Sequence, residues 1–308
     1  GNLLSRMEEL VTLSCGGTKP HYGPLSPGCS SCTGGTWSCL FINGICNARC
    51  FYCPSPQDSK DLPTTNTLVF EKPADYVSYV DRFGFMGVSI SGGEPFLTFD
   101  RTLDYLKALR QSRPDLHLWM YTNGKLATVE KLRQLAAAGL NEIRFDISAF
   151  DYDLSAVEMA SDIIQTITVE IPAIPEDIEL LRSLLPVMAD AGVHHLNLHQ
   201  VRCTPHNRDN LVARGYTFIR GMKPTVLESE LTALEILAYA AGQQLPLPVN
   251  YCSFPYKNRY QAAAWRKRLA SQITGTCEEP TATGYIRALY LHAPVAVLED
   301  VITGLNTA

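Results

Sequence analysis

The sequence has no apolar run near the ~20 residues that a membrane-spanning helix needs. Its first residues, Gly1 to Leu10, lack the basic-then-apolar order of a secretory leader. Charge is also scarce: 19% of residues are charged and the net charge is -5, which excludes a generally nucleic-acid-binding surface but leaves room for a local basic patch. Disorder is not expected either, because 46% of the residues are hydrophobic. These shortages lead to the expectation of a soluble, cytoplasmic protein without membrane association. Its 308 residues suffice for one large domain or two small ones.

What the sequence does have is cysteine. There are ten, and seven of them lie between Cys15 and Cys53. A secreted disulfide scaffold would be shorter and richer in loops. Clustering of this kind suits metal or iron–sulfur ligation in a reducing compartment.

Between these cysteines, residues 11–37 are rich in Gly, Ser, Thr and Pro and are expected to be irregular. Six short strands are then expected, at 39–43, 86–91, 116–122, 141–147, 166–171 and 194–199. Helical patterns separate them, the clearest being Leu103, Leu106 and Leu109 at helical spacing within 99–111. Pro186 is expected to kink a helix over 178–191. Such alternation implies right-handed βαβ units and a parallel sheet, either doubly wound or a partial barrel, with the chemistry at the carboxyl ends of the strands. The reading adopted is an α/β fold: a partial (β/α)6 TIM-like barrel over 36–200. An irregular Cys-rich segment, 1–35, precedes it. A helical C-terminal extension, 201–308, follows, with a helix at 227–243, an extended stretch at 246–255 and a basic helix at 256–271.

Cys46-Asn-Ala-Arg-Cys50-Phe-Tyr-Cys53 follows the first expected strand. Three thiolates on one short loop can hold three irons of a cubane and leave the fourth open to a chelating substrate. Structural zinc more often takes paired Cys-x2-Cys units. Tyr52 lies where it can shield a cluster and stack near an adenine. Ser91-Gly-Gly-Glu-Pro95 follows the second strand, and Gly92 and Gly93 allow close backbone approach to a ligand. Their backbone groups can bind the amino-acid end of a ligand, and Glu94 can accept from its ammonium. Alone, a Gly-Gly-Glu-Pro tetrapeptide would be an ordinary turn.

Together these motifs resemble the radical S-adenosylmethionine (SAM) superfamily over about 36–200. Within it the chain is similar to an uncharacterised group related to pyruvate formate-lyase activating enzymes. Cys29-Ser-Ser-Cys32, Cys50-Phe-Tyr-Cys53-Pro54, Glu170-Ile-Pro-Ala-Ile-Pro175 and Tyr251-Cys252-Ser253 carry that similarity. The resemblance implies a [4Fe-4S] cluster on Cys46, Cys50 and Cys53, bound SAM, and a flavodoxin or ferredoxin as reductant. It names neither substrate nor net reaction; a small molecule and a protein both remain open.

Further SAM contacts are expected from strand-end positions: Asn123, Asp146 and Glu170. Asn123 reads equally as an Asn-Gly turn, and the two carboxylates as partners of a nearby Arg or Lys. Asn197 and His199 alternate on the sixth strand and can face a barrel interior, His199 also as an ordinary core histidine. Cys39 reads as a small buried hydrophobe.

Cys29 and Cys32 form a clamp that needs further ligands. Cys252 is the preferred third and Cys15 the preferred fourth, with Cys203 and Cys277 as rivals. A second [4Fe-4S] cluster is expected there, with structural zinc as the alternative. Lys257, Arg259, Arg266, Lys267 and Arg268 with Tyr256, Tyr260 and Trp265 read as a solvated helix whose Tyr260 and Trp265 turn inward, rather than as an RNA-binding face. An anionic small-molecule substrate at this helix is a further option. The primary expectation is a hydrogen-abstracting SAM-cleaving enzyme. The alternatives are a glycyl-radical-enzyme activase and a non-catalytic iron–sulfur electron-transfer or zinc protein.

Overall fold

Short runs such as Gly87-Val-Ser-Ile and Ile167-Thr-Val are buried on both faces, as strands of a helix-covered parallel sheet must be. The computed structural model describes residues 10–59, 62–221, 223–290 and 292–306. Most of the start of the chain, the basis of the expectation about a leader, lies outside the described residues.

A hairpin of β1 (Thr12–Ser14) and β2 (Lys19–Tyr22) comes first, then helix α1 (Pro27–Thr33). The strands β3 (Trp37–Ile45), β4 (Gly87–Gly92), β5 (His117–Thr122), β6 (Glu142–Phe145), β7 (Thr166–Pro172), β8 (His195–His199) and β9 (Val249–Cys252) follow. All seven pair in parallel in that spatial order. β2 adds antiparallel to β9, and Thr64–Thr65 adds antiparallel to β3 at the other side. The sheet path runs from β1 to Leu68–Val69 without joining, so the barrel is partial. Outside it pack α2 (Pro73–Arg82), α3 (Phe99–Ser112), α4 (Val129–Ala137), α5 (Ser155–Ser161), α6 (Ile178–Asp190) and α7 (Leu227–Gly242). Their leucine faces, such as Leu103, Leu106 and Leu109 of α3, join the strands' outer side chains in one core.

Four local expectations are corrected. The parallel sheet has a seventh strand, β9, inside the presumed extension. Its Val249 and Tyr251 are buried, yet alternation with Asn250 and Cys252 hides the apolar signal. The segment 11–37 is largely ordered: Ser26 caps α1 by accepting from Cys29 N at 3.2 Å, and Pro27 opens it, but seven residues are too few to show a helical period. The strand expected to reach Ile147 stops at Phe145, and Ile147–Phe150 forms a 3-10 turn ended by Asp151 at φ 51. The single basic helix is interrupted, with a π turn at Lys257–Gln261 before α8 (Ala262–Ile273). α6 runs on through Pro186.

Inside the barrel the wall is polar. The Arg144 side chain is 2% exposed. It donates to Glu142 Oε1 at 2.8 Å, to Glu170 Oε2 at 2.6 Å and to Ser26 Oγ at 3.1 Å. Glu142 also accepts from Gly28 N at 3.0 Å and Thr168 Oγ1 at 2.9 Å. Burial pushes the Glu142 carboxyl up, but the Arg144 charge and the His117 hydrogen bond overcome it and hold the group well below the usual range. α1 therefore closes the amino-terminal mouth, and only glycine fits at position 28, where a Cβ would run into Arg144 and Glu142.

Arg144→Leu would leave two carboxylates facing the barrel without their cation. We expect a loss of about 3–5 kcal/mol, read from the urea midpoint of the apoprotein. A change under about 1 kcal/mol, the range of an exposed pair, would show that Arg144 does not carry this interior.

Candidate active site and metal centres

β3 delivers the chain directly into the cysteine loop. Cys46 N donates to Gln57 O at 3.0 Å and Cys53 N to Cys50 O at 3.1 Å, closing the loop on itself. Ala48 N and Asn123 Nδ2 approach Cys46 Sγ at 3.4 and 3.7 Å, and the same Asn123 amide donates to Asn47 Oδ1 at 2.7 Å. All ten cysteines are free, and Cys46, Cys50 and Cys53 are half-buried. Burial pushes the Cys50 thiol up to about 11. The three thiols line a cavity of about 900 Å³ that runs from the loop into the barrel as far as Arg144 and Glu170. Among the described residues no three metal-binding side chains converge on a single ion. A cubane differs from such a site, because each of its cysteines takes a separate iron. With N–H donors aimed at sulfur, the loop fits a cluster of that kind.

Gly92 and Gly93 bring β4 against β3. Gly93 N donates to Asn43 O at 3.0 Å and Glu94 N to Ile45 O at 2.7 Å. A Cβ at Gly92 would meet the Asn43 carbonyl, and one at Gly93 the Ile45 carbonyl; Gly92 also has φ +123. These glycines thus fix the turn against the residue that precedes Cys46. The amides of Gly93 and Glu94 are occupied by β3. Glu94 is 1% exposed and accepts from Phe96 N at 3.0 Å, Thr122 Oγ1 at 2.8 Å and Asn123 N at 2.8 Å. Its carboxylate ties the turn to the end of β5.

Tyr52 donates to Asp146 Oδ2 at 3.1 Å, and its hydroxyl lies 2.7 Å from Ser148 Oγ. Burial pushes the Asp146 carboxyl up to about 6 against the hydrogen bonds from Ser148 and Tyr52. Glu170 is paired with Arg144 and also accepts from Asn197 Nδ2 at 3.1 Å. Both carboxylates still line the cavity. His199 lines it as well, its imidazole pushed down to about 4 by burial and by the Lys257 charge. Cys39 is half-buried rather than a core residue, because alternation on β3 turns it inward, near Ser89 and Ser91.

The second cysteine set lies deeper. Cys29 and Cys32 on α1 and Cys252 at the end of β9 are all buried. Lys19 is fully buried, with its ammonium 3.3 Å from Cys252 Sγ and 4.2 Å from the Tyr256 ring centroid. Asn250 Nδ2 lies 3.3 Å from Cys252 Sγ, and Asn197 Nδ2 lies 3.2 Å from Cys29 Sγ. The Cys29 thiol, then the Lys19 and Lys257 charges, hold Cys252 well below the usual thiol range against burial, while Cys29 is pushed up. Cys15 is half-buried and feels the charges of Lys19 and Cys252. The two rivals lie elsewhere: Cys203 packs against the small cluster of Val201, Leu211 and Val226, and Cys277 is exposed.

Arg144 and Lys19 were not singled out from the sequence. Glu142-x-Arg144 on a buried strand, with Asp146 just past its end, is a signal for the first; nothing marks the second. In the basic segment Tyr256 is buried and Trp265 packs on the core, but Tyr260, expected to turn inward, is 38% exposed. The π turn shifts the helix face after Tyr256. Arg268 donates to the carbonyls of Gly35 at 2.9 Å and Gly84 at 3.0 Å, so this segment braces the barrel.

The family model described as the Radical SAM superfamily matches residues 40–170, which holds the cysteine loop, the glycine turn and β7 up to Glu170. This segment is a radical SAM domain. Radical SAM domains bind a [4Fe-4S] cluster and SAM. A Methanocaldococcus jannaschii protein, provisionally named a glycyl-radical enzyme activating enzyme, is 29% identical over 254 residues, covering 78% of this chain and 66% of that protein. The GTP 3′,8-cyclase of Sulfurimonas denitrificans is 31% identical over 131 residues, 42% of this chain and 39% of the cyclase. The chain thus spans less than two thirds of the length of either relative. In fold it is similar to Streptococcus suis SuiB, with a TM-score of 0.50 at 15% identity over 69% of this chain and 48% of that one. No helix among the described residues is long and apolar enough to cross a membrane.

Lys19→Met should raise the Cys252 thiol toward its ordinary range, leaving the part that the Cys29 thiol sustains. The metal-free variant is expected to show less thiolate by ultraviolet absorbance at neutral pH than the metal-free wild type. Because the folded value is depressed, this pairing adds stability fully present above the unfolded value of about 8.5, and lost as pH falls through the Cys252 value. Equal thiolate content in both proteins would rule out the Lys19 assignment.

Proposed function

We propose that this chain is a radical SAM enzyme that abstracts hydrogen from a substrate bound in the barrel. The observation that carries the reading is the cavity of about 900 Å³ that joins the cysteine loop, the glycine turn and the strand-end carboxylates. Cys46, Cys50 and Cys53 would hold a [4Fe-4S] cluster, which with SAM bound would supply the one-electron cleavage of the sulfonium to methionine and a 5′-deoxyadenosyl radical. The Ala48 amide and the Asn123 side chain donate toward Cys46, which tunes its thiolate. Gly92 and Gly93 set the turn beside the loop and line the cavity. Glu94 acts by holding that turn. Tyr52, Asp146 and Ser148 form a polar group beside the loop that suits ribose hydroxyls. An electron carrier without SAM has no use for so large a cavity beside its thiols.

In this reading Cys29, Cys32, Cys252 and Cys15 hold a second [4Fe-4S] cluster. Support comes from three buried thiols, two of which, Cys29 and Cys252, are in reach of Lys19, Asn197 and Asn250 donors, the kind of hydrogen bonding that sets cluster potentials. Structural zinc is the alternative. A flavodoxin or ferredoxin supplies the electron, and the cytoplasm is the compartment that keeps ten cysteines reduced. A second reading, activation of a glycyl-radical enzyme with a protein as substrate, is favoured by the name of the archaeal relative that aligns with 78% of this chain.

Anaerobically reconstituted protein with SAM and a strong reductant should release 5′-deoxyadenosine and methionine, and Cys50→Ala should reduce this to background while the apoprotein keeps its fold. A loaded cluster with no 5′-deoxyadenosine would refute the reading. Full loading should give about eight irons per chain, and the Cys46/Cys50/Cys53 triple alanine variant about half. Zinc in that variant would assign the deeper site to zinc, and neither metal would abolish it.

A further inference from the structure

One stretch of the cavity wall is built from different chemistry than the cysteine loop. Arg202, Lys223 and Lys257 all line it, together with Asn258 and Gln261. The Arg202 guanidinium lies 5.9 Å, and the Lys257 ammonium 5.4 Å, from the centroid of the same Phe254 ring. Burial, then the Arg202 and Lys257 charges, pull the Lys223 ammonium below its ordinary value, so the three cations are near enough to repel one another.

The cavity's carboxylates answer them only weakly. Glu170 feels the Lys257 charge but is ion-paired with Arg144, Asp146 holds Tyr52 and Ser148, and Glu94 faces three donors of its own. Among the described residues none of the three cations has an ion-pair partner; all the pairs formed by arginine or lysine involve other residues. Neighbouring His199 is held neutral by burial and Lys257, and adds no charge of its own. Like charges gathered in a partly enclosed space cost energy unless a ligand neutralises them.

The backbone gives an independent indication. Lys257, Asn258 and Gln261 come from one π turn, Lys257–Gln261, set between two stretches of ordinary helix. Such turns are rare and occur mostly at functional sites, because the wider turn re-aims side chains that an α-helix would direct elsewhere. Here it sends a cation and two amides into the cavity.

We infer that Arg202, Lys223 and Lys257, with Asn258 and Gln261, form the binding site for a polyanionic substrate group, a phosphate ester or polycarboxylate, held in the cavity that the cysteine loop also lines. The inference rests on the proposed function, since it places the substrate in the same cavity as SAM. The carboxylate of SAM carries one charge and is directed to the open iron in that reading, so it does not account for three cations. Arg202 also feels Cys53 and is partly shared with the loop. Lys223 and Lys257 are therefore the discriminating residues. A glycyl loop of a protein, with a neutral backbone, has no use for this wall, so the site favours a small anionic substrate over activation of a partner enzyme.

The test is calorimetric titration of the cluster-loaded, SAM-bound protein with inorganic pyrophosphate and, separately, with citrate. Binding of at least one is expected, weakened about tenfold by Lys223→Gln or by Lys257→Gln, as for loss of a charge-assisted hydrogen bond. Preference for pyrophosphate identifies a phosphate ester, and preference for citrate a polycarboxylate. SAM affinity is titrated in the same variants. If neither anion binds the wild type, or if the variants lose SAM affinity and anion affinity together, the cations serve SAM and the inference is overturned. The outcome is separable from the radical reading, because a protein that binds pyrophosphate but never forms 5′-deoxyadenosine would fail only the latter.

Discussion

One guanidinium inside the barrel sets the terms for everything around it. Arg144 neutralises Glu142 on its own strand and Glu170 on the next, and reaches Ser26 at the start of α1. The helix that carries Cys29 and Cys32 and the carboxylate that borders the cavity thus share one cation. A buried ion network of this kind is weak evidence for high stability, since desolvation offsets much of its attraction. Its effect is geometric: it fixes where α1 can sit, and hence where the deeper thiols lie relative to the cavity.

The two cysteine sets are organised by different means. The loop of Cys46, Cys50 and Cys53 is shaped by backbone contact, β3 against the glycine turn, with side chains such as Asn123 and Tyr52 closing around it. The deeper set is presented by regular elements, one helix and one strand end, and its surroundings are side-chain donors in a dry interior. The first set can adapt to a ligand, while the second is largely fixed by the packing of the barrel.

Periodicity carried the six-strand alternation well, because apolar strands are local signals, and motif spacing drew attention to the cysteine loop for the same reason. Where the sequence misled, the signal was long-range. β9 alternates Val and Tyr with Asn and Cys, so its membership in the sheet depends on β8 and on Asn197 opposite Asn250. Glu94 reads as a ligand group from its motif, yet its three donors come from residues 96 to 123. Lys19 has no local mark at all, since its burial is meaningful only beside Cys252, 233 positions away. The π turn is likewise invisible to a helical period.

The same 233-position separation bears on how the molecule is made. β2 pairs with β9, and Lys19 and Thr18 bond to Cys252 and Ser253. A chain emerging from the ribosome has its first hairpin long before any of these partners exists. Contacts this distant in sequence carry a large loop-closure cost and form late. The central strands can pair as they appear, but the floor of the barrel, with its buried lysine and thiols, must wait for residues 249–256. Until then Cys29 and Cys32 remain accessible, and any metal delivered to them during synthesis would meet an unfinished site.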